Sequence, residues 1–248
     1  MLRFRNIIAF LAGFAAVLAF ALDPMATIAA GPSVNSDRKI TKGEQVLEPV
    51  NLAILIQDDL VSRVSNELDI TGDFIKSLPR GSQVMVGYIT SGSLQVRQPF
   101  TNDLGKAASS LRILISSPAA SSFNPYVEVL EALRKFKPET RNRNVLLLIS
   151  DGLDDSRGFD PSSVLDSVDL NRAVGEAKQR DVTIFSFYAP SVGLTSRNQL
   201  AASYGQGSLN RVSHETGGKA FFQGTDFVTF NSYFEKFTRA LNRLESAE

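Results

Sequence analysis

The chain has 248 residues, 43% apolar and 21% charged, with 26 Lys+Arg balanced by 26 Asp+Glu. That length suits one domain of about 200 residues plus a short extra segment, and the composition suffices for a buried core. A net charge of zero gives no support to a nucleic-acid partner or an acidic solvating tail, and the absence of cysteine excludes disulfides and a lipoprotein anchor.

Arg3 and Arg5 precede an uncharged stretch, Ile7 to Leu22, and small residues around Ala26, Ala29 and Ala30 offer cleavage positions. Residues 1–30 are therefore expected to be an export signal. Asp23-Pro24 ends the stretch short of the ~20 apolar residues that a spanning helix needs. Removal is expected over retention as an anchor. It leaves 26 − 2 = 24 basic and 26 − 1 = 25 acidic residues in a periplasmic or extracellular chain with no membrane span. Residues 31–49 are polar without sustained period and read as a tether, and residues 50–246 as the folded domain.

The first strand is expected over Leu52 to Ile56, ending at Gln57, Asp58 and Asp59. A helix follows from Leu60 to Leu78, with an interruption at Ile70-Thr71-Gly72. Val84 to Ile89 is the second strand, Ser91-Gly92 a hairpin turn, and Leu94 to Phe100 an antiparallel edge strand. Thr101 or Asn102 is expected to cap a helix over Asp103 to Ile115. A Ser/Pro/Ala loop, Ser116 to Asn124, leads to a helix from Pro125 to Phe136.

The apolar run Val145 to Ile149 suits a strand covered on both faces, and it stops at Ser150-Asp151-Gly152. Next come a helix, Leu170 to Arg180, and a strand, Val182 to Tyr188. A loop from Pro190 to Gly207, a short helix from Ser208 to Thr216 stopped by Gly217-Gly218, and a strand from Ala220 to Gln223 follow. The last helix, Phe227 to Leu244, carries Phe227, Phe230, Phe234, Phe237, Leu241 and Leu244 at steps of three and four. The alternation predicts an α/β fold: a doubly wound, mostly parallel six-stranded sheet with one antiparallel edge strand and helices on both faces.

Chemistry-bearing motifs are scarce. Gly-x-Ser-x-Gly, Walker A and Gly-x-Gly-x-x-Gly after a strand are all absent. His214 is the only histidine and is expected at a helix end, far from the carboxylates. Asp154 and Asp155 are expected in a solvated loop. Asp58 and Asp59 have two compatible readings, as helix N-terminal charges or as members of a pocket at the strand ends. Asp151 reads either as a turn residue or as part of that pocket.

Five segments in order, NLAILIQDD, SLPRGSQVMVGYIT, LLLISDGLDD, VTIFSFYAP and LNRVSHETGGKAFF, resemble the von Willebrand factor type A domain, particularly its divergent exported bacterial versions. The likeness covers about residues 50 to 244. It implies a protein-binding module whose carboxyl-end loops, 57–62, 116–124, 151–167 and 189–207, meet a partner. The family's metal ion-dependent adhesion site uses Asp-x-Ser-x-Ser, a Thr and an Asp. Gln57 stands at the first Asp, Asp59 and Val61 at the serines, Ser122 near the Thr, and Asp151 at the last Asp. In the alternative register Asp58 takes the Asp place and Ser62 the last Ser, but Leu60 spoils the middle. A neutral Gln and an apolar Val or Leu are poor ligands for a hard cation.

The leading expectation is thus a non-catalytic module binding a protein partner through Gln57, Asp58, Asp59, Ser122, Asp151 and Tyr188, without a cofactor. One alternative has Asp58 or Asp59, Ser122 and Asp151 hold Mg²⁺, Mn²⁺ or Ca²⁺. Another is a hydrolase or nucleotide-binding protein on a doubly wound sheet.

Overall fold

A computed structural model describes residues 47–90, 92–120, 124–137, 141–159, 167–224 and 229–245. The expected export signal, most of the tether, and Phe227 lie outside them. The strands are β1 (Val50–Gln57), β2 (Gln83–Thr90), β3 (Ser93–Thr101), β4 (Arg143–Ser150), β5 (Val182–Tyr188) and β6 (Ala220–Phe221). They form one sheet in the order β3-β2-β1-β4-β5-β6. Only β3 runs antiparallel, paired with β2. The predicted architecture is the observed one.

The helices are α1 (Leu68–Ser77), α2 (Leu104–Ser109), α3 (Pro125–Leu133), α4 (Val168–Gln179), α5 (Gln199–Glu215) and α6 (Phe230–Glu245). Strand alternation divides the core in two. Leu52, Ile54 and Ile56 of β1 join Phe74 and Ile75 of α1 and Phe230, Phe234, Phe237 and Leu241 of α6. Ala53 and Leu55 join Tyr126 and Val129 of α3, Leu170 and Val174 of α4, and Leu209 and Val212 of α5. Phe187 anchors an aromatic cluster, its ring 4.9–6.0 Å from those of Phe221, Phe230, Tyr233, Phe234 and Phe237. Burying rings of this size supplies much of the hydrophobic stabilisation on that face.

Three helices depart from expectation. The segment after β1 opens as a 3-10 turn, Ser62–Glu67, before α1 begins. The irregularity therefore precedes Ile70-Thr71-Gly72, and Gly72 lies inside α1. Asp103 caps α2, its side chain accepting the Lys106 N–H at 2.9 Å, and α2 stops at Ser109 instead of Ile115. Beyond it, backbone donors go to distant side chains: Arg112 N–H to Tyr88 Oη (2.8 Å), Leu114 N–H to Ser65 Oγ (3.2 Å) and Ile115 N–H to Asp58 Oδ1 (3.1 Å). Those partners replace helical carbonyls, so residues 111–116 run as an irregular strap outside any helix or strand.

α5 is also much longer than expected. Asn198 caps it by accepting from Leu200 and Ala201 N–H at 2.9 and 3.2 Å, and the glycines that read as loop residues lie within it. Gly205 serves packing: a Cβ there would fall 2.0 Å from Asp151 O. Gly207 meets nothing within 4 Å. The two are predicted to respond oppositely to alanine. Gly205→Ala should cost about 2 kcal/mol or more by forcing α5 off β4, and Gly207→Ala should stabilise by about 0.5–1 kcal/mol. Thermal unfolding of both variants checks this; equal effects would refute the assigned close approach.

Candidate functional site

At the carboxyl end of the sheet, β1 finishes at Gln57, β4 at Ser150 and β5 at Tyr188, the last two paired in register. Gln57 is buried to 1% exposure, and its amide ties the neighbouring strand ends together. Its Oε1 accepts from Ser150 Oγ at 2.6 Å and from Asp151 N–H at 3.2 Å. Its Nε2 donates to Asp59 Oδ1 at 2.7 Å. One neutral side chain thereby satisfies groups on both loops, which would be costly to bury alone.

Asp151 is 4% exposed. Its Oδ1 accepts the Leu153 N–H at 3.1 Å, closing the turn, and its Oδ2 accepts from Thr195 Oγ1 at 3.0 Å. Burial pushes its carboxyl above the usual range, opposed by hydrogen bonds from Ser191, Leu153, Thr195 and Gln57. Gly152 has φ +70°, and a Cβ there would sit 2.4 Å from Leu209 Cγ, so only glycine fits the turn under α5. Thr195 arrives through the β5–α5 connection, which is stitched to the β1 loop. Val192 N–H donates to Asp59 O at 2.8 Å, Val61 N–H donates to Pro190 O at 3.0 Å, and Leu60 bridges Ser191.

Asp58 turns the other way. Arg112 grips its carboxylate with two hydrogen bonds, 2.8 Å to Oδ1 and 2.6 Å to Oδ2, while Thr90 Oγ1 donates at 2.9 Å. Burial alone would raise the Asp58 pKa, but the Arg112, Ile115 and Thr90 hydrogen bonds outweigh it, and the net displacement is downward. The Arg112 guanidinium also lies 4.2 Å over the Tyr88 ring. This ion pair pins the strap 111–116 to β1.

The structure therefore brings Gln57, Asp59 and Asp151 together and sends Asp58 into a separate ion pair. It also overturns the helix-start reading of Asp58 and Asp59, since the following turn is flanked by Val61 with no side-chain cap. Tyr188 is 1% exposed within the core of the α3–α5 face. Ser122 lies outside the described residues. All five described positions are thus buried, and they brace the loops instead of offering contact surface. His214 is exposed in the last turn of α5, at the opposite end of the sheet. Sequence reasoning missed Arg112, Ser191 and Thr195. Only the period-two pattern of Leu111, Ile113 and Ile115 signalled that Arg112 lay outside a helix.

Asp155, expected in solvent, lines a small cleft with Asp59, Asp151, Ser191 and Leu194. Its Oδ1 is buried without a hydrogen-bond partner among the described residues. Burial, reinforced by the Asp151 charge, pushes its pKa up to about 6. The donor set suits a cation poorly: the Gln57 amide N–H occupies the space beside Asp59, and Thr195 holds Asp151 Oδ2. Among the described residues no three His, Cys, Asp or Glu side chains converge to hold a metal ion.

Alongside polar residues such as Arg63, Arg157 and Arg197, the rim exposes large apolar side chains. Among the described residues the large apolar side chains left in solvent are Ile113 (79% exposed), Ile115, Val127, Val168, Leu200 and Phe222. All six sit at the carboxyl end of the sheet. Ile113 and Ile115 flank Leu114 on the strap, Val127, Val168 and Leu200 occupy the first turns of α3, α4 and α5, and Phe222 follows β6.

Two measurements probe the electrostatics. A carboxyl whose folded pKa is raised contributes stability below its ordinary value and loses it as pH rises through about 6. Asp155→Asn is therefore expected to flatten the decline in unfolding midpoint between about pH 4 and 6 and to exceed wild type at pH 7.5. An unchanged profile refutes the assignment. Asp58 has the opposite sign, its contribution being present above its ordinary value and lost as pH falls through its lowered one. Arg112→Leu strands that carboxylate and should cost about 3 kcal/mol. In a denaturation cycle, Asp58→Asn combined with Arg112→Leu should cost less than the sum of the two single changes.

No protein-family model matches the sequence, and a search of curated proteins likewise finds no match. Solved structures do match. The conserved hypothetical protein BatB from Bacteroides thetaiotaomicron superposes with a TM-score of 0.55 at 12% identity, over 79% of this chain and 99% of that one. An aerotolerance-related membrane protein from Bacteroides fragilis gives 0.54 at 11% identity, over 78% and 99%. A von Willebrand factor type A protein from Catenulispora acidiphila gives 0.51 at 15% identity, over 78% of this chain and 42% of its own. With the strand order, the single antiparallel edge and the Asp151-Gly152 turn, these likenesses show that the chain has a divergent von Willebrand factor type A fold.

Proposed function

We propose that this domain is a non-catalytic, exported protein-binding module that engages its partner with the carboxyl-end rim and needs no metal ion to do so. The observation that carries the reading is the division of labour at the rim. Gln57, Asp59, Ser150, Asp151 and Thr195 are hydrogen-bonded to one another, while large apolar side chains stand exposed at the same end of the sheet. Exposed apolar groups on a rigid polar base are what protein interfaces use as anchors. Ile113, Ile115, Val168 and Leu200 are the contact residues in this reading. Gln57, Asp58, Asp59, Asp151 and Tyr188 act by holding their loops, and Ser122 remains a candidate contact.

The lack of catalysis follows from the same chemistry. Among the described residues Asp151 is hydrogen-bonded by Thr195 and by the Leu153 N–H, and His214 stands in the last turn of α5, so no Ser–His–Asp arrangement forms around Asp151. Export follows from residues 1–30, with 31–49 as tether and 50–246 as the folded domain. Among the described residues no helix is long and apolar enough to cross a membrane.

The test compares proteins captured from the native cell envelope by the wild type with those captured by Ile113→Glu and Leu200→Glu. Both variants should lose the captured partner at least about tenfold, as loss of a buried interface anchor implies, with unchanged unfolding midpoints. Chelation should have no effect. Release by chelator would favour the metal-dependent reading, and Asp151-dependent turnover of model esters or nucleotides would overturn the non-catalytic one.

A further inference from the structure

Cations gather at the opposite end of the sheet, where the parallel strands begin. Val50 opens β1 beside Arg143 of β4, and its N–H donates to Ser82 Oγ at 3.2 Å. Asn142 Nδ2 donates to Gly81 O at 2.8 Å, which holds Arg141 and Arg143 beside the turn that carries Arg80. Lys137 lines a small hollow with Asn51, Gln83 and Asn144, and Arg134 and Lys135 follow the end of α3. Lys135 pairs with Glu131 at 3.4 Å, and Arg143 donates to Leu241 O at 3.2 Å. Arg80, Arg134, Lys137 and Arg141 are exposed and form no ion pair among the described residues. Glu48, the exposed Asp103 after β3 and the exposed Asp181 before β5 are acids at this edge, and Glu139 lies outside the described residues.

A helix C-terminus favours cations and accounts for Arg134 and Lys135. It does not account for Arg80 and Arg141, which stand in turns, or for Arg143 at a strand start. We propose that this edge rests on an anionic lipid bilayer, with its lysines and arginines among the headgroup phosphates. Guanidinium groups bind phosphate in a planar fork, and each cation close to an anionic leaflet adds to adsorption. The described chain enters the fold at this same edge, at Leu47 to Val50. The apolar rim then faces away from the lipid. The proposal stands whether or not that rim binds a protein.

The test is sedimentation of the full chain with vesicles of phosphatidylcholine alone or mixed with phosphatidylglycerol, at low and high salt. Phosphatidylglycerol should raise the bound fraction, and high salt should remove the increment. The triple variant Arg80→Glu/Lys137→Glu/Arg141→Glu should lower anionic partitioning by at least about tenfold, on a scale of roughly fivefold per cation. Binding to phosphatidylcholine alone, which reads Ile7 to Leu22, should not change. The milder Arg80→Gln/Lys137→Gln/Arg141→Gln variant should fall between, and it serves if the reversal misfolds. Arg157→Glu/Arg197→Glu at the other end should leave the increment intact. An absent increment, one that survives the triple reversal, or a preference for duplex DNA over the anionic vesicles overturns the proposal.

Discussion

The carboxyl end of this sheet depends on one primary amide. Two parallel strands that stop side by side, each followed by a loop with a carboxylate, leave buried backbone donors and acidic oxygens facing one another. Water cannot reach them to lower the cost. Gln57 resolves this because a carboxamide is both acceptor and donor. Its oxygen takes the Ser150 hydroxyl and the Asp151 N–H while its nitrogen serves Asp59. An aspartate there would place a third negative charge beside Asp59 and Asp151, and it could donate nothing while ionised. The geometry of the rim follows from this choice, since the β5–α5 connection can lie flat across Asp59 and Asp151 only if their charges are already engaged.

The fold was legible because its strands are nearly uniform apolar runs, buried on both faces and ended by polar residues. Leu146, Leu147 and Leu148 could hardly sit elsewhere. The helices were harder where tertiary partners outbid local ones. Residues 110–116 carry good helix formers, yet Tyr88, Ser65 and Asp58 claim their N–H groups, and nothing adjacent in the chain records that. Gly205 read as a breaker because composition does not reveal that a carbonyl approaches the missing side chain. At the site, the strand-end positions of Gln57 and Asp151 were readable. The orientation of Asp58 was not, because its partner lies 54 residues away.

Neutral overall charge concealed an uneven distribution. Arg80, Arg134, Lys137 and Arg141 cluster where the parallel strands begin, and the large exposed apolar side chains of the described residues lie at the carboxyl end. A domain organised this way along the strand direction presents two chemically different poles. Totals over a sequence carry no information about such segregation, which arises only when topology sends every βα connection to one pole and every αβ connection to the other.

The contact between Gly205 and the Asp151 carbonyl has a mechanical consequence. With no side chain between them, helix and turn are as close as two backbones can pack, so α5 cannot slide or tilt without carrying the end of β4 along. Piston-like displacement of α5 along its own axis is therefore closed to this fold, and the carboxyl end of the sheet keeps one shape set by the approach of two backbones.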